Sequence, residues 1–215
     1  MLKISQYKHI IWDWNGTLLN DAWLFVDVMN GILKNRNMNT ITIDQYRDIF
    51  GFPVKDYYVK LGFDLDKESF KKSGLEFIHA YEKRRYEAKL HSGVYTILSK
   101  LLSMNIHNSI LSAQHQTLLD DLTKHYNIRE YFIEINGLND YYAHSKVKKG
   151  IEWMKKIGLD SEEVLFIGDT KKDLQAAIQS NINFFGIQNK YENFENFNIK
   201  VKNFMNFQKK IKLFF

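Results

Sequence analysis

Cysteine is absent from the 215 residues, and proline occurs once, at Pro53. The first absence excludes disulfides, thiolate nucleophiles and zinc–thiolate sites, and it disfavours a stapled secreted fold. No apolar run approaches the roughly 18 residues of a membrane span, so none is expected. The closing Ile211-Lys212-Leu213-Phe214-Phe215 is too short to anchor in a bilayer. Asp13 interrupts the first apolar run and no small-residue cleavage site follows, which argues against a signal peptide and for the cytoplasm. Arginine is scarce, at positions 36, 47, 84, 85 and 129 only. The net charge of +5 therefore rests on lysines interleaved with acids, and no nucleic-acid partner is expected. A hydrophobic content of 45% and a charged content of 26% are those of a soluble globular protein.

What is present begins with His9-Ile10-Ile11-Trp12, an apolar run that reads as a buried strand and ends on Asp13. Asn15 and Gly16 then turn the chain. From there to about residue 88 the pattern is helical. Asn20 or Asp21 is placed to cap a first helix, Thr42 and Asp44 start a second, and Pro53 opens a third that Gly62 ends. A longer helix is expected over Asp66–Leu90, with Phe70, Leu75, Phe77, Ile78 and Tyr81 inward. After His91-Ser92-Gly93 helices and strands alternate: helices at 94–103, 115–125, 146–157 and 171–180, strands at 106–112, 131–135, 163–168 and 182–187. A polar Asn189–Asn198 loop, a weak strand over 199–201 and a helix from about 203 close the chain. Such alternation predicts an α/β fold, a Rossmann-like parallel sheet core of residues 1–19 and 89–215, with residues 20–88 an inserted helical cap.

Four positions fall where open α/β sheets place their ligands: Asp13, Ser112 after Ile106–Leu111, Lys146 opening a helix after Ala143-His144-Ser145, and Gly168-Asp169-Thr170-Lys171-Lys172-Asp173 after Val164–Ile167. Each alone has a plain alternative: a strand end, a solvated helix face, a common turn. Together they suit a phosphoryl group. Carboxylates hold a divalent cation, a hydroxyl and an ammonium bind phosphate oxygens, and Asp13 is left as a nucleophile.

Those residues carry a resemblance to the haloacid dehalogenase superfamily, in its phosphoglycolate phosphatase-like and β-phosphoglucomutase-like branch with a helical cap. Asp13-Trp14-Asn15-Gly16-Thr17-Leu18 is similar to that family's Asp-x-Asp-Gly-Thr-Leu, Ser112 and Lys146 to its second and third motifs, and Gly168, Asp169 and Asp173 to its Gly-Asp-x-x-x-Asp. His91-Ser92-Gly93-Val94 resembles the segment returning from the cap. The resemblance implies a phosphatase acting on a small phosphorylated metabolite as a monomer or homodimer. It implies that Asp13 attacks phosphorus, that Asp13, Asp169 and the backbone carbonyl of Asn15 hold Mg²⁺, that Asp173 supports them, and that Ser112, Lys146 and the Gly16 amide bind the phosphoryl group. In the cap, Arg47 is the first candidate for a substrate contact. Trp14 is read as a packing residue.

One position departs from the family pattern. Its second aspartate protonates the leaving group and activates water, and here that position is Asn15, whose amide does neither. Four readings stay open: another acid such as His144, His115 or water; a substrate, such as an acyl phosphate, whose leaving group needs no proton; a catalytically impaired phosphate-ligand-binding or regulatory protein; or an introduced substitution.

Overall fold

The strand β1, His9–Trp12, is buried along its whole length because it is paired on both sides. In the computed structural model, which describes residues 4–51, 53–139 and 146–187 and the backbone of 200–201, the chain forms two compact units: residues 1–19 with 90–215, and residues 20–89. In the first, β1 lies between β4 (His107–His115) and β6 (Val164–Gly168), with β5 (Glu134–Leu138) outside β4. Beyond β6 lie β7 (Asn183–Ile187) and β8 (Lys200–Val201), and every pairing is parallel. The remaining strands, β2 (Leu19–Asn20) and β3 (Lys89–Leu90), pair with each other.

Right-handed crossovers fix where the helices go. α5 (Val94–Ser103) and α6 (Gln116–His125) serve the β4–β5 side of the sheet. α7 (Lys146–Ile157) and α8 (Lys171–Gln179) lie together on the opposite face. There Ile11, Leu111, Val164 and Phe166 pack against Trp153 of α7 and Ala176 and Ala177 of α8. Each large side chain so buried contributes roughly 1.5–3 kcal/mol. Trp14 is fully buried, its ring 6.4 Å from that of Tyr126, in keeping with a packing role.

In the second unit, α1 (Ala22–Lys34), α2 (Ile43–Ile49), α3 (Val54–Lys60) and α4 (Phe70–Arg84) enclose an aromatic cluster with Phe25, Tyr58 and Tyr81 among its members. Arg36 fastens its outside, bonded to Glu68 and Glu76. Thr42 caps α2 in a reciprocal capping box with Gln45.

Several expected boundaries move. Asp21 stands at the start of α1 without capping it, because its carboxylate accepts the Tyr81 hydroxyl at 3.0 Å instead. The long helix expected over Asp66–Leu90 is α4 alone, started by Ser69 and followed by a 3₁₀ turn, Arg85–Glu87, and β3. On it Leu75 is exposed, and the inward place is taken by Ser73, whose hydroxyl bonds the Phe70 carbonyl. The strand expected at 131–135 starts at Glu134, because Ile128 and Phe132 are buried in the connection that precedes it. Of the last expected strand only Lys200–Val201 is described. His144, the 143–145 segment, the 189–198 loop, the helix from about 203 and the 211–215 tail lie outside the described residues. Among the described residues, no helix is long and apolar enough to cross a membrane.

His9 gives the core a pH dependence. Its Nε2 shares a hydrogen bond with Ser109 Oγ at 2.8 Å, and Trp153 Nε1 donates to the same oxygen at 2.9 Å. Burial pushes its pKa from 6.5 down to about 4, with the neighbouring His107 adding to the effect. Between those values the unfolded chain binds a proton on His9 that the folded chain does not, so stability falls as pH drops through the window. The loss approaches about 3 kcal/mol at ~1.4 kcal/mol per unit. Urea unfolding at pH 7 and pH 4.5 should show His9→Gln losing about 2 kcal/mol less stability than the parent over that interval. An equal loss in both would remove His9 from the acid response.

Candidate active site

The strand order sets the position of the site. From β1 the sheet is built outward through β4 to β5, and from β6 it is built the other way through β7. β1 and β6 are thus neighbours whose onward connections diverge, and a crevice opens at their carboxyl ends. Trp12 pairs with Ile167, and the Asp13 amide donates to the Ile167 carbonyl at 2.8 Å. This register sets Asp13 beside Gly168, with Asp169 one residue beyond.

Two glycines permit the close approach of the two strand ends. Gly16 sits at φ +76°, and a Cβ there would lie 2.3 Å from Asp169 Oδ2. A Cβ on Gly168 would lie 2.5 Å from Asp173 Cβ. Both turns therefore require glycine where the chain has it.

Lys146, the first residue of α7, enters this crevice and is only 4% exposed. Its Nζ donates to Asp13 Oδ1 and to Asp173 Oδ1, each at 2.5 Å. The other Asp173 oxygen accepts the Thr170 amide at 2.9 Å and the Thr170 hydroxyl at 2.6 Å, within the capping box that starts α8. Asp173 is thereby held from both sides, and it holds the lysine. Thr17 Oγ1 lies 3.2 Å from both Asp13 Oδ2 and Asp169 Oδ1, its single proton shared between them. The nearby lysines turn elsewhere: Lys148 pairs with Glu152 and Lys149 donates to the Gly137 carbonyl.

Asp13, Asp169 and Asp173 are buried, with carboxylate oxygens within 4.8 Å of one another. Three carboxylates thus gather around the Lys146 ammonium, and their crowding shows in the titration. Burial pushes Asp13 up to about 6, and the Asp173 charge adds to this against the pull of Lys146. Burial opposes the charge on Lys146, but the Asp13 and Asp173 carboxylates more than offset it and hold the ammonium above the usual lysine range. An all-oxygen donor set with excess negative charge fits a hard divalent cation.

The other expected residues lie differently. Ser112 is fully buried in β4, two residues past the Trp12–Ile110 pair, and its hydroxyl accepts the Gln114 amide at 3.0 Å without joining the Asp–Lys cluster. Asn15 is half-buried in the turn and forms a bridge with Leu19. His115 pairs with Thr117 at 2.9 Å. Arg47 belongs to the second unit, 3.7 Å from Asp44. Sequence reading passed over three contributors. Thr17 stood inside the first motif, and Thr170 with Asp173 has the spacing of a capping box. His91, whose Nε2 meets the Gly16 carbonyl at 3.2 Å, gave no signal of this contact.

The model of the haloacid dehalogenase-like hydrolase family matches residues 10–187. The chain belongs to that family. A phosphoglycolate phosphatase of Photobacterium profundum is 22% identical over 200 residues, covering 89% of this chain and 87% of the relative. A haloacid dehalogenase-like family hydrolase from Streptococcus pneumoniae superposes with a TM-score of 0.79 at 18% identity, over 97% of this chain and 99% of the other. Protein tyrosine kinase A of Mycobacterium tuberculosis superposes with a TM-score of 0.77 at 17% identity, over 95% and 98%. Proteins of differently named activity thus share the fold, and the chemistry has to be read from the site.

The Gly16–Asp169 approach is testable. Gly16→Ala should cost at least about 2 kcal/mol in urea unfolding, combining left-handed backbone strain with side-chain overlap. Gly158→Ala, at φ +66° with open space around it, should cost only the strain, about 1 kcal/mol. Equal costs would mean that Asp169 yields without resistance.

Proposed function

We propose that this hydrolase is a phosphatase that cleaves a small phosphorylated metabolite by phosphoryl transfer to Asp13. The observation carrying the reading is the buried Asp13 carboxylate at the mouth of β1, bonded to Lys146 and beside Asp169. The name of the Photobacterium relative supports the same reaction class. In the first step an Asp13 oxygen attacks phosphorus and the leaving group departs in line. In the second, water attacks the aspartyl-phosphate and restores the carboxylate.

Lys146 stands ready to neutralise phosphoryl oxygens as charge develops on them, its proton secured by Asp13 and Asp173. Ser112 and the Gly16 amide are assigned to the same oxygens. Arg47 is assigned to another anionic group of the substrate. Asp13, Asp169 and the Asn15 backbone carbonyl are the groups that would hold Mg²⁺, with Asp173 supporting through Lys146. When bound, the ion supplies positive charge against the phosphoryl group. The setting assigned to the protein is the cytoplasm.

Asn15 shapes the expected substrate range. With no carboxylic acid at that position, esters with good leaving groups and acyl phosphates should outpace alkyl phosphates by about 10²–10⁴-fold. The same residue supports a second reading, a phosphate-ligand-binding protein with little turnover.

Release of phosphate from p-nitrophenyl phosphate and acetyl phosphate, with Mg²⁺ and with EDTA, decides between them. The phosphatase reading expects both to be cleaved, with loss of activity in EDTA and in Asp13→Ala. Rates no higher than those of Asp13→Ala would leave the ligand-binding reading standing.

A further inference from the structure

Thr17 carries a fully buried hydroxyl that the steps above do not use. Its place comes from the turn that follows Asp13. The Trp14 carbonyl accepts the Leu18 and Leu19 amides, both at 2.9 Å, and the Gly16 amide donates to the Leu19 carbonyl at 2.9 Å. The chain thus doubles back, and the side chain four residues after Asp13 returns to it. Branching at Cβ leaves that side chain few rotamers. Each neighbouring carboxylate has one oxygen settled elsewhere: Asp13 Oδ1 accepts from Lys146, and Asp169 Oδ2 lies against Gly16. Asp13 Oδ2 and Asp169 Oδ1 converge on Thr17 Oγ1, 3.2 Å from each.

A hydroxyl has a single hydrogen, so it donates to only one of them at a time. An ammonium in its place would neutralise both acids and compete with a cation. A methyl group would leave two buried oxygens of like charge without that donor. The hydroxyl does neither: it orients both oxygens and leaves lone pairs and charge for another partner. Resting on the reading in which Asp13 and Asp169 hold Mg²⁺, we propose that Thr17 is a positioning residue for the ion. Its hydroxyl sets the two carboxylates as a pair, and so determines how tightly the ion is held. Hydrogen-bonding partners of metal-ligating side chains are typically worth about 10–100-fold in metal affinity.

Calorimetric titration of the full chain with Mg²⁺, without substrate, tests this. Thr17→Val keeps the shape and removes the donor, and its Mg²⁺ affinity should fall about 10–100-fold. Thr17→Ser keeps the donor and should bind Mg²⁺ as the parent does. In p-nitrophenyl phosphate hydrolysis, Thr17→Val should need correspondingly more Mg²⁺ for its half-maximal rate and approach the parent rate at saturation. Equal Mg²⁺ affinity in Thr17→Val and the parent overturns the proposal. So does an equal loss in Thr17→Ser, since packing of the methyl group would then be responsible. A urea midpoint without Mg²⁺ checks that each variant is folded, and Thr17→Ala carries the same expectation if Thr17→Val does not fold. A parent that binds Mg²⁺ but releases no p-nitrophenol beyond Asp13→Ala sinks the phosphatase reading and leaves the role of Thr17 standing. A parent that binds no Mg²⁺ removes the metal assignment and the role of Thr17 with it.

Discussion

Lys146 sets one buried ammonium between Asp13 and Asp173, 2.5 Å from each, and the carboxyl edge of the sheet is arranged around that charge. Neither acid is stable there alone. Removing one partner of a buried pair strands the other, at a cost of roughly 3–5 kcal/mol. The capping box at Thr170 fixes Asp173, Asp173 fixes the lysine, and the lysine fixes the orientation of Asp13. A helix start, a crossover helix and the central strand are thereby tied to one another through three side chains.

The sheet was legible because its central strands β1 and β6 are short apolar runs followed by a polar residue, the same plan repeated far apart in the sequence. The parallel arrangement follows from the alternation with helices. Boundaries were less legible where an apolar residue serves a connection, as Phe132 does, or where a small polar residue takes an inward place, as Ser73 does. Both depend on packing partners remote in sequence.

The site was legible in its residue types and less so in its contacts. The spacing from Asp169 to Asp173 marks two acids at one strand end. It does not disclose that Asp173 spends both oxygens on Thr170 and Lys146. Lys146, Lys148 and Lys149 look alike in the sequence, and only the docking of α7 separates the buried one from its neighbours. The contact of His91 with Gly16 joins residues 75 apart in the chain, and no local pattern announces it.

The two short strands β2 and β3 have a wider consequence. They pair with each other where the chain leaves the sheet unit and where it returns. The ends of the Asn20–Lys89 insertion are therefore neighbours, and to the sheet the insertion resembles the loop of a hairpin. Because closure entropy grows only slowly with loop length, roughly 0.6 kcal/mol for each doubling, such a loop tolerates lengthening, trimming or replacement. The register of β1, β4 and β6 and the contents of the inserted unit are separable traits, able to diverge on independent schedules.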